Sequence, residues 1–388
     1  MTTDLLANPA LTPLWRILPE ARIIGGAVRD WLAGHPITDI DLAIPLPVTT
    51  VQTRLTEAAI RTIPTGLDHG TITAVIDGQS VEITSLRRDL DTDGRHAIIE
   101  FTDDWQTDAA RRDFTINAMS MDSTGAIHDY FNGRADLAAG LVRFVGDPSA
   151  RITEDYLRIL RFFRFFARYA KQPPDGDAIR AIQTHQAGLA RLSPERIWSE
   201  LKRILAAANP NATLNLMAQT GILQRILPLG TDLPRLQFAI TNGLAAPLAR
   251  FALLNTGPID QLVATLRLSD TERSTLHHIN AAPSLAPIAD DAALRVALAD
   301  HDRMALHAKT YLHPNTQSLR DRLLAMPDPT FPLRGADLLA LGITPGPTIG
   351  TLLAQVRAMW LASGCTLDRP ACLDALRAIL DQQRPTNA

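Results

Sequence analysis

Two kinds of periodicity divide the chain. Over roughly the first 140 residues, short β-branched runs alternate with glycine-containing turns, the pattern of a small sheet with helices between its strands. Residues 22–24 read as a strand running into Gly25-Gly26, and 28–33 as a helix stopped by Gly34. Residues 38–44 read as a strand closed by Pro45 and Pro47, and 50–63 carry helical spacing. Residues 71–77 and 80–85 flank Gly78-Gln79 as the arms of a hairpin. Residues 87–97 are polar and predict a mobile loop; 114–121 and 126–129 are further strand-like pieces. Beyond about residue 140, apolar positions recur at helical spacing. Residues 153–169 form a strongly amphipathic pattern rich in Arg and Phe, broken by Pro173-Pro174. Helices over 177–190 and 193–208 follow, the second opened by Ser193-Pro194-Glu195. The remainder, through Leu380, reads as helices separated by Pro or Gly clusters, with no internal repeat, and the residues from Arg384 as a frayed end. The expected fold class is an α+β head followed by an all-α neck, body and tail, with divisions at 1–140, 141–208 and 209–388.

Composition narrows the picture. Of 388 residues, 46% are hydrophobic and 20% charged, ordinary for a globular protein. No apolar run approaches the roughly 20 residues of a membrane span, so no membrane association is expected. Residues 1–9 are weakly apolar, carry Asp4 and lack the basic and long apolar regions of a signal peptide, which predicts a cytoplasmic protein. Cys365 and Cys372 fit no zinc spacing and read as small apolar residues. Net charge is −3, so bulk charge does not announce nucleic acid. Lys171, Lys202 and Lys309 are the only lysines, and the positive charge is otherwise arginine, suited to bidentate contact with phosphates and base edges.

Candidate chemistry begins with Asp39 and Asp41, two apart on an expected strand and so on one face. Such a pair can hold hard divalent ions through oxygen. It follows Gly25-Gly26, a turn between strand and helix where backbone can approach a phosphate. Arg29 can add charge-assisted bonds there. The run GGAVRDWLAGHPITDIDLAI resembles the first motif of the nucleotidyltransferase superfamily that includes DNA polymerase β. More narrowly, it is similar to the class II CCA-adding enzymes and bacterial poly(A) polymerases. The resemblance implies a polymerase β-like head, Mg2+ on Asp39 and Asp41, and a triphosphate held by Gly25, Gly26 and Arg29. Glu82, in VEITSLR, is a candidate third catalytic carboxylate; an exposed strand carboxylate is the alternative reading.

Further motifs extend the resemblance over residues 22–205. RRDFTINA (111–118) resembles the sugar motif, with Arg112 and Asp113 as candidates for gripping the ribose, since a 2′-hydroxyl both donates and accepts. DYFNGRADL (129–137) resembles a glycine-containing hinge, with Asn132 where a second glycine is usual; Asn tolerates a left-handed backbone. In EDYLRILR (154–161), Asp155 and Arg158 are three apart and would share a helix face. Cytosine and adenine each show an amine donor beside a ring-nitrogen acceptor, so an accepting Asp155 and a donating Arg158 fit both and reject guanine and uracil. The resemblance assigns this pair to base templating, and Arg161 and Arg164 to nucleotide contact. Phe162, Phe163, Phe165 and Phe166 read as core packing. LSPERIWSELK (192–202) resembles a neck motif that braces the templating helix, and residues 88–96 resemble a flexible loop that full CCA-adding enzymes keep.

The function implied is addition of C, C and A to the tRNA 3′ end from CTP and ATP, with Mg2+ as cofactor and no protein partner. Poly(A) addition and partial CC- or A-addition are rivals within the family; the tail from Asp381 has one basic residue, Arg384, which favours the CCA reading. A non-catalytic RNA-binding protein would be expected to lack one of the two aspartates. A phosphohydrolase in the C-terminal half would need clustered His and Asp, where only His301-Asp302 is adjacent.

Overall fold

The computed structural model describes residues 5–92, 97–285 and 289–383. The chain divides into two compact units, Met1–Pro228 and Leu229–Ala388. In the first, a seven-stranded mixed sheet is built from β1 (Arg22–Ile24), β2 (Asp41–Ile44), β3 (Arg61–Gly66), β4 (Thr71–Ile76), β5 (Gln79–Ser85), β8 (Met119–Met121) and β9 (Ile127–Asp129). Its order is β3-β4-β5-β2-β1-β8-β9, with β2 and β5 parallel and the other neighbours antiparallel. A separate two-stranded ladder joins β6 (Arg87–Thr92) to β7 (Ala97–Phe101). Helix α1 (Leu11–Ile17) precedes the sheet; α2 (Gly26–Leu32) packs on β1 and β8, and α3 (Val48–Glu57) on β3 and β4. Leu42, Ile44, Ile72 and Ile83 from the strands and Val28, Val51 and Leu55 from the helices are fully or almost fully buried.

Helices α4 (Trp105–Ala110) and α5 (Gly133–Ala139) close the head. The neck comprises α6 (Pro148–Glu154), α7 (Leu157–Tyr169), α8 (Gly176–His185) and α9 (Pro194–Leu205), and α10 (Asn211–Gln219) and α11 (Ile222–Ile226) complete the unit. Phe114, Phe144, Phe162 and Phe165 cluster with ring centroids 4.7–6.3 Å apart, in stacked, tilted and edge-to-face pairs, which ties the head to α7 through buried aromatic surface. The phenylalanines of α7 are core packing, with Phe162, Phe163 and Phe165 buried. The second unit is helical from Leu233–Thr241 to Arg369–Gln383 apart from short connections. One of its apolar cores gathers Leu338, Leu352, Val356, Trp360, Cys372 and Leu376.

Several sequence expectations are corrected. The loop expected over 87–97 holds the strands β6 and β7, because Ile98, Ile99 and Phe101 supply a β-prone arm whose backbone pairs back on Arg87 to Thr92. The helix expected over 50–63 stops at Glu57. Ala59 is left-handed (φ 56°), and the β-branched Thr62-Ile63 then pair with β4. The strand expected over 38–44 begins at Asp41, where the ladder with β5 starts at the Asp41–Glu82 pair. Residues 114–121 hold a single 3-10 turn, Thr115–Asn117, before β8. The helix expected over 177–190 becomes 3-10 from Gln186. The helix expected over 153–169 is two, α6 and α7, with Asp155 extended between them (φ −151°, ψ 108°). Residues 93–96, with Gly94, Arg95 and His96 among them, and the end from Arg384 lie outside the described residues.

Candidate active site

The strand-to-helix turn comes first. Gly25 has φ 64° and ψ −120°, a conformation strained for any side chain. A Cβ there would also lie 3.2 Å from the Arg112 guanidinium, so the glycine lets a cation lie against bare backbone. Gly26 opens α2. Arg29, on that helix, is 7% exposed. Its Nε and Nη2 donate to the two oxygens of Asp30 at 3.2 and 3.0 Å, and Nη1 donates to Asn117 Oδ1 at 2.5 Å. Its plane lies 4.9 and 4.8 Å from the Phe165 and Tyr169 rings. Arg29 therefore pins the glycine turn to the sugar motif and to α7, besides facing the cleft. Asp30 also accepts from the Tyr169 hydroxyl. Burial raises its carboxyl, but the bonds from Arg29 and Tyr169 and the charges of Arg29 and Arg168 outweigh that and hold it below the usual range.

Asp39 and Asp41 are exposed to the same cleft, Asp39 in irregular backbone and Asp41 at the first position of β2. Glu82 is Asp41's in-register neighbour on β5, and in-register neighbours project to one face. Partial desolvation raises the Asp41 carboxyl, and the negative charges of Glu82 and Asp39 raise it further against the pull of Arg112. A bound divalent cation would relieve that repulsion, so this donor set fits one. Glu82 does not line the cleft itself, and among the described residues no three His, Cys, Asp or Glu side chains converge at metal-ligand distance.

The sugar motif is held from beneath. Asp108, buried on α4, takes Arg111 Nε at 2.9 Å and Arg112 Nη2 at 3.1 Å. Asp113 is 7% exposed, and its carboxylate is heavily engaged. Oδ1 accepts from Phe114 N and Asn117 Nδ2, both at 2.9 Å, and Oδ2 from Arg161 Nε at 2.6 Å and Nη2 at 2.5 Å. Burial pushes Asp113 up, but Arg161's charge and the Asn117 and Arg161 bonds win and hold it low. In the hinge motif Asn132 is left-handed (φ 60°), and a Cβ on Gly133 would overlap the Thr115 carbonyl, so the motif presses on the sugar motif where only glycine fits.

The expected templating pair sits at a junction and not on one helical face. Asp155 Oδ1 accepts Leu157 N at 3.0 Å, and Oδ2 accepts Arg196 Nη2, from α9, at 2.7 Å. Arg158 Nη1 donates to Glu154 Oε2 at 2.5 Å and to the Arg151 carbonyl at 2.9 Å; Nη2 donates to the Arg111 carbonyl at 3.1 Å. Arg164 Nη1 donates to the buried Glu200 at 3.0 Å, and burial pulls its guanidinium down to about 10. Of the site residues expected from the sequence, all but Glu82 line one cleft of about 1120 Å3, together with Asp30, Asn117 and Arg196, and it is formed within the first unit. Nine arginines and five aspartates face it, a local excess of positive charge in a chain of net charge −3.

Sequence reasoning did not single out Asp108, Asp30, Tyr169 or Arg196 as site residues. Asp108 carried a usable signal, its i+3 and i+4 spacing to Arg111 and Arg112. Arg196 and Tyr169 act across tertiary contacts that spacing does not encode. In the C-terminal half, Asp302 of the His-Asp pair caps a helix by accepting Ala305 N at 2.8 Å, an ordinary structural role.

A glycine turn beside a carboxylate pair, under an arginine-lined wall at the join of a mixed sheet and a helical neck, defines a nucleotidyltransferase. Residues 21–143 match the poly A polymerase head domain family, and residues 175–233 match the family described as probable RNA and SrmB-binding site of polymerase A. The chain is 37% identical over 375 residues to the CCA tRNA nucleotidyltransferase 1, mitochondrial, of Mus musculus, covering 92% of this chain and 86% of that protein. It is 27% identical over 402 residues to the CCA-adding enzyme of Levilactobacillus brevis, covering 96% and 97%. The crystal structure of the Bacillus stearothermophilus CCA-adding enzyme in complex with CTP matches with a TM-score of 0.72 at 26% identity, covering 92% of this chain and 94% of that one. The chain belongs to the CCA-adding enzyme and poly(A) polymerase family of nucleotidyltransferases, whose chemistry requires a divalent metal. Among the described residues no helix is long and apolar enough to cross a membrane.

Proposed function

We propose that the protein adds C, C and A to the 3′ end of tRNA from CTP and ATP, releasing pyrophosphate. The observation that carries this reading is the shared cleft: Asp155 and Arg158 open onto the same space as the glycine turn and Asp39 and Asp41. Asp39 and Asp41 would hold Mg2+, with Glu82 adding negative charge beside them. Mg2+ bound there supplies charge that favours ionisation of the RNA 3′-hydroxyl and offsets charge on the departing pyrophosphate. The chain itself orients the nucleotide. The backbone at Gly25 and Gly26, with Arg112 lying against it, receives the triphosphate. Asp113 contributes mainly by fixing Arg161 in the cleft wall.

Base choice follows from lone pairs. Each Asp155 oxygen accepts one bond from the chain and retains a second acceptor site, which an exocyclic amine can fill. Arg158 already gives protons to Glu154 and two carbonyls and offers its remaining donors to a ring nitrogen. Guanine and uracil would set a carbonyl against Asp155 and an N–H against Arg158, leaving desolvated groups unpaired at about 1–3 kcal/mol each. Two such mismatches suffice for selection without a nucleic-acid template.

The test compares a tRNA ending just before CCA with an unstructured RNA oligonucleotide. With CTP alone the tRNA should grow by two residues, with CTP and ATP by three, and the oligonucleotide should stay unextended. A run of A on either RNA would replace this reading with poly(A) addition.

A further inference from the structure

We infer that Arg196, on α9, is a positioning residue that fixes the Asp155 carboxylate for base selection. The inference rests on the templating reading above. Asp155 lies in extended backbone between α6 and α7, and only one of its two carboxylate bonds is local, the one from Leu157 N to Oδ1. A single bond to one oxygen leaves the carboxylate plane free to turn. The bond from Arg196 Nη2 to Oδ2, at 2.7 Å, comes from a helix 41 residues away in sequence and removes that freedom. A carboxylate that must meet an amine at a set angle needs its plane held, because preorganised acceptors lose little on binding.

The place of Arg196 points the same way. It sits in the first turn of α9, which starts at Pro194. A cation in the first turn of a helix faces the positive end of its dipole and is disfavoured there. The distant carboxylate of Asp155 offsets that cost. Arg196 also lines the cleft, with a side chain 31% exposed, so it meets the nucleotide's surroundings while bonded to Asp155. A second kind of contact joins the same two helices at Glu200 and Arg164: there α9 supplies the carboxylate and α7 the cation.

A brace without a role in selection would hold the α6–α7 junction and nothing more, and the two roles separate experimentally. The full-length chain is assayed on tRNA lacking its CCA, with kcat and KM measured separately for CTP, ATP, UTP and GTP. This is done for wild type, Arg196→Met, Arg196→Lys and Asp155→Ala, with melting temperatures for each. Arg196→Met should narrow the preference for CTP over UTP about tenfold, mostly through KM for CTP, with a small change in melting temperature. Arg196→Lys should restore part of the preference, because a single ammonium can reach Oδ2 without the fork geometry. An unchanged CTP-to-UTP ratio in Arg196→Met, whatever the loss of rate or stability, overturns the inference. Asp155→Ala separates the two layers: if it leaves the ratio untouched, the templating reading fails. If it collapses the ratio while Arg196→Met does not, only the role of Arg196 fails.

Discussion

At the scale of single residues, the site sets charges against one another. Asp41 is raised by its surroundings and by Glu82 and Asp39, so its ionised form is under strain in the metal-free protein. Asp41→Asn should therefore stabilise the metal-free fold modestly while abolishing transfer, a trade of stability for function seen in strained sites generally. Mg2+ should raise the melting temperature of wild type and leave that of the variant unchanged. Thermal melts with and without the metal check both points; equal stability of the two metal-free proteins would show that the cluster is not repulsive.

Asp113 poses the opposite case. Its carboxyl is held low by Arg161 and Asn117, as Asp108 is by Arg111 and Arg112, and Asp30 by Arg29 and Tyr169. A carboxylate lowered on folding stabilises the native state above its unfolded value, near 3.9. That stability is lost as pH falls through the lowered folded value. The protein should accordingly lose stability steeply below about pH 4. Asp113→Asn should cost about 3–5 kcal/mol at neutral pH, the range for removing one partner of a buried pair, and should flatten that acid limb. Whether Asp113 also grips the ribose is read from the ATP-to-dATP ratio of kcat/KM in the same variant. Loss of the preference places it in sugar recognition, and loss of stability alone confines it to holding Arg161.

At the scale of elements, the sequence was legible where a local pattern decides the outcome. The Gly78 hairpin, the strand before Gly25 and the start of α9 follow from turn and capping chemistry, and all three are present. The reading failed where a partner strand or a tertiary contact decides. Nothing in residues 153–169 signals a break, because the apolar spacing runs on across it. The break is stabilised by Asp155 capping Leu157 and by Arg196 from another helix. The ladder of β6 and β7 was missed because Arg88, Asp89 and Asp91 read as solvated loop, whereas Arg88 pairs with Glu100 across the two strands. The described part of residues 88–96, the segment that resembles a flexible loop, is the strand Arg88 to Thr92 of this ladder. Removing residues 91–96 should leave two-residue C addition near wild-type rate and slow the terminal A at least tenfold. Chain-length analysis over time checks this, and an equal loss of both steps would make the ladder a structural element only.

At the scale of the whole molecule, the separation of roles is spatial. All the site chemistry lies in the first unit, whose cleft gathers arginine in a chain that is acidic overall. RNA affinity drawn from such a patch should fall linearly in log K against log salt. In the proposed function this one cleft, reading bases through amino-acid side chains, dictates a short and fixed product. The most direct measurement offers the protein a tRNA without its CCA, all four ribonucleotides at equal concentration and Mg2+, and sequences every product. The proposed function requires C, then C, then A, and no further growth, with U and G below about one per cent of additions, as a discrimination of some 3 kcal/mol gives. Tails of A that lengthen with time, or U and G entering in proportion to their supply, would contradict it.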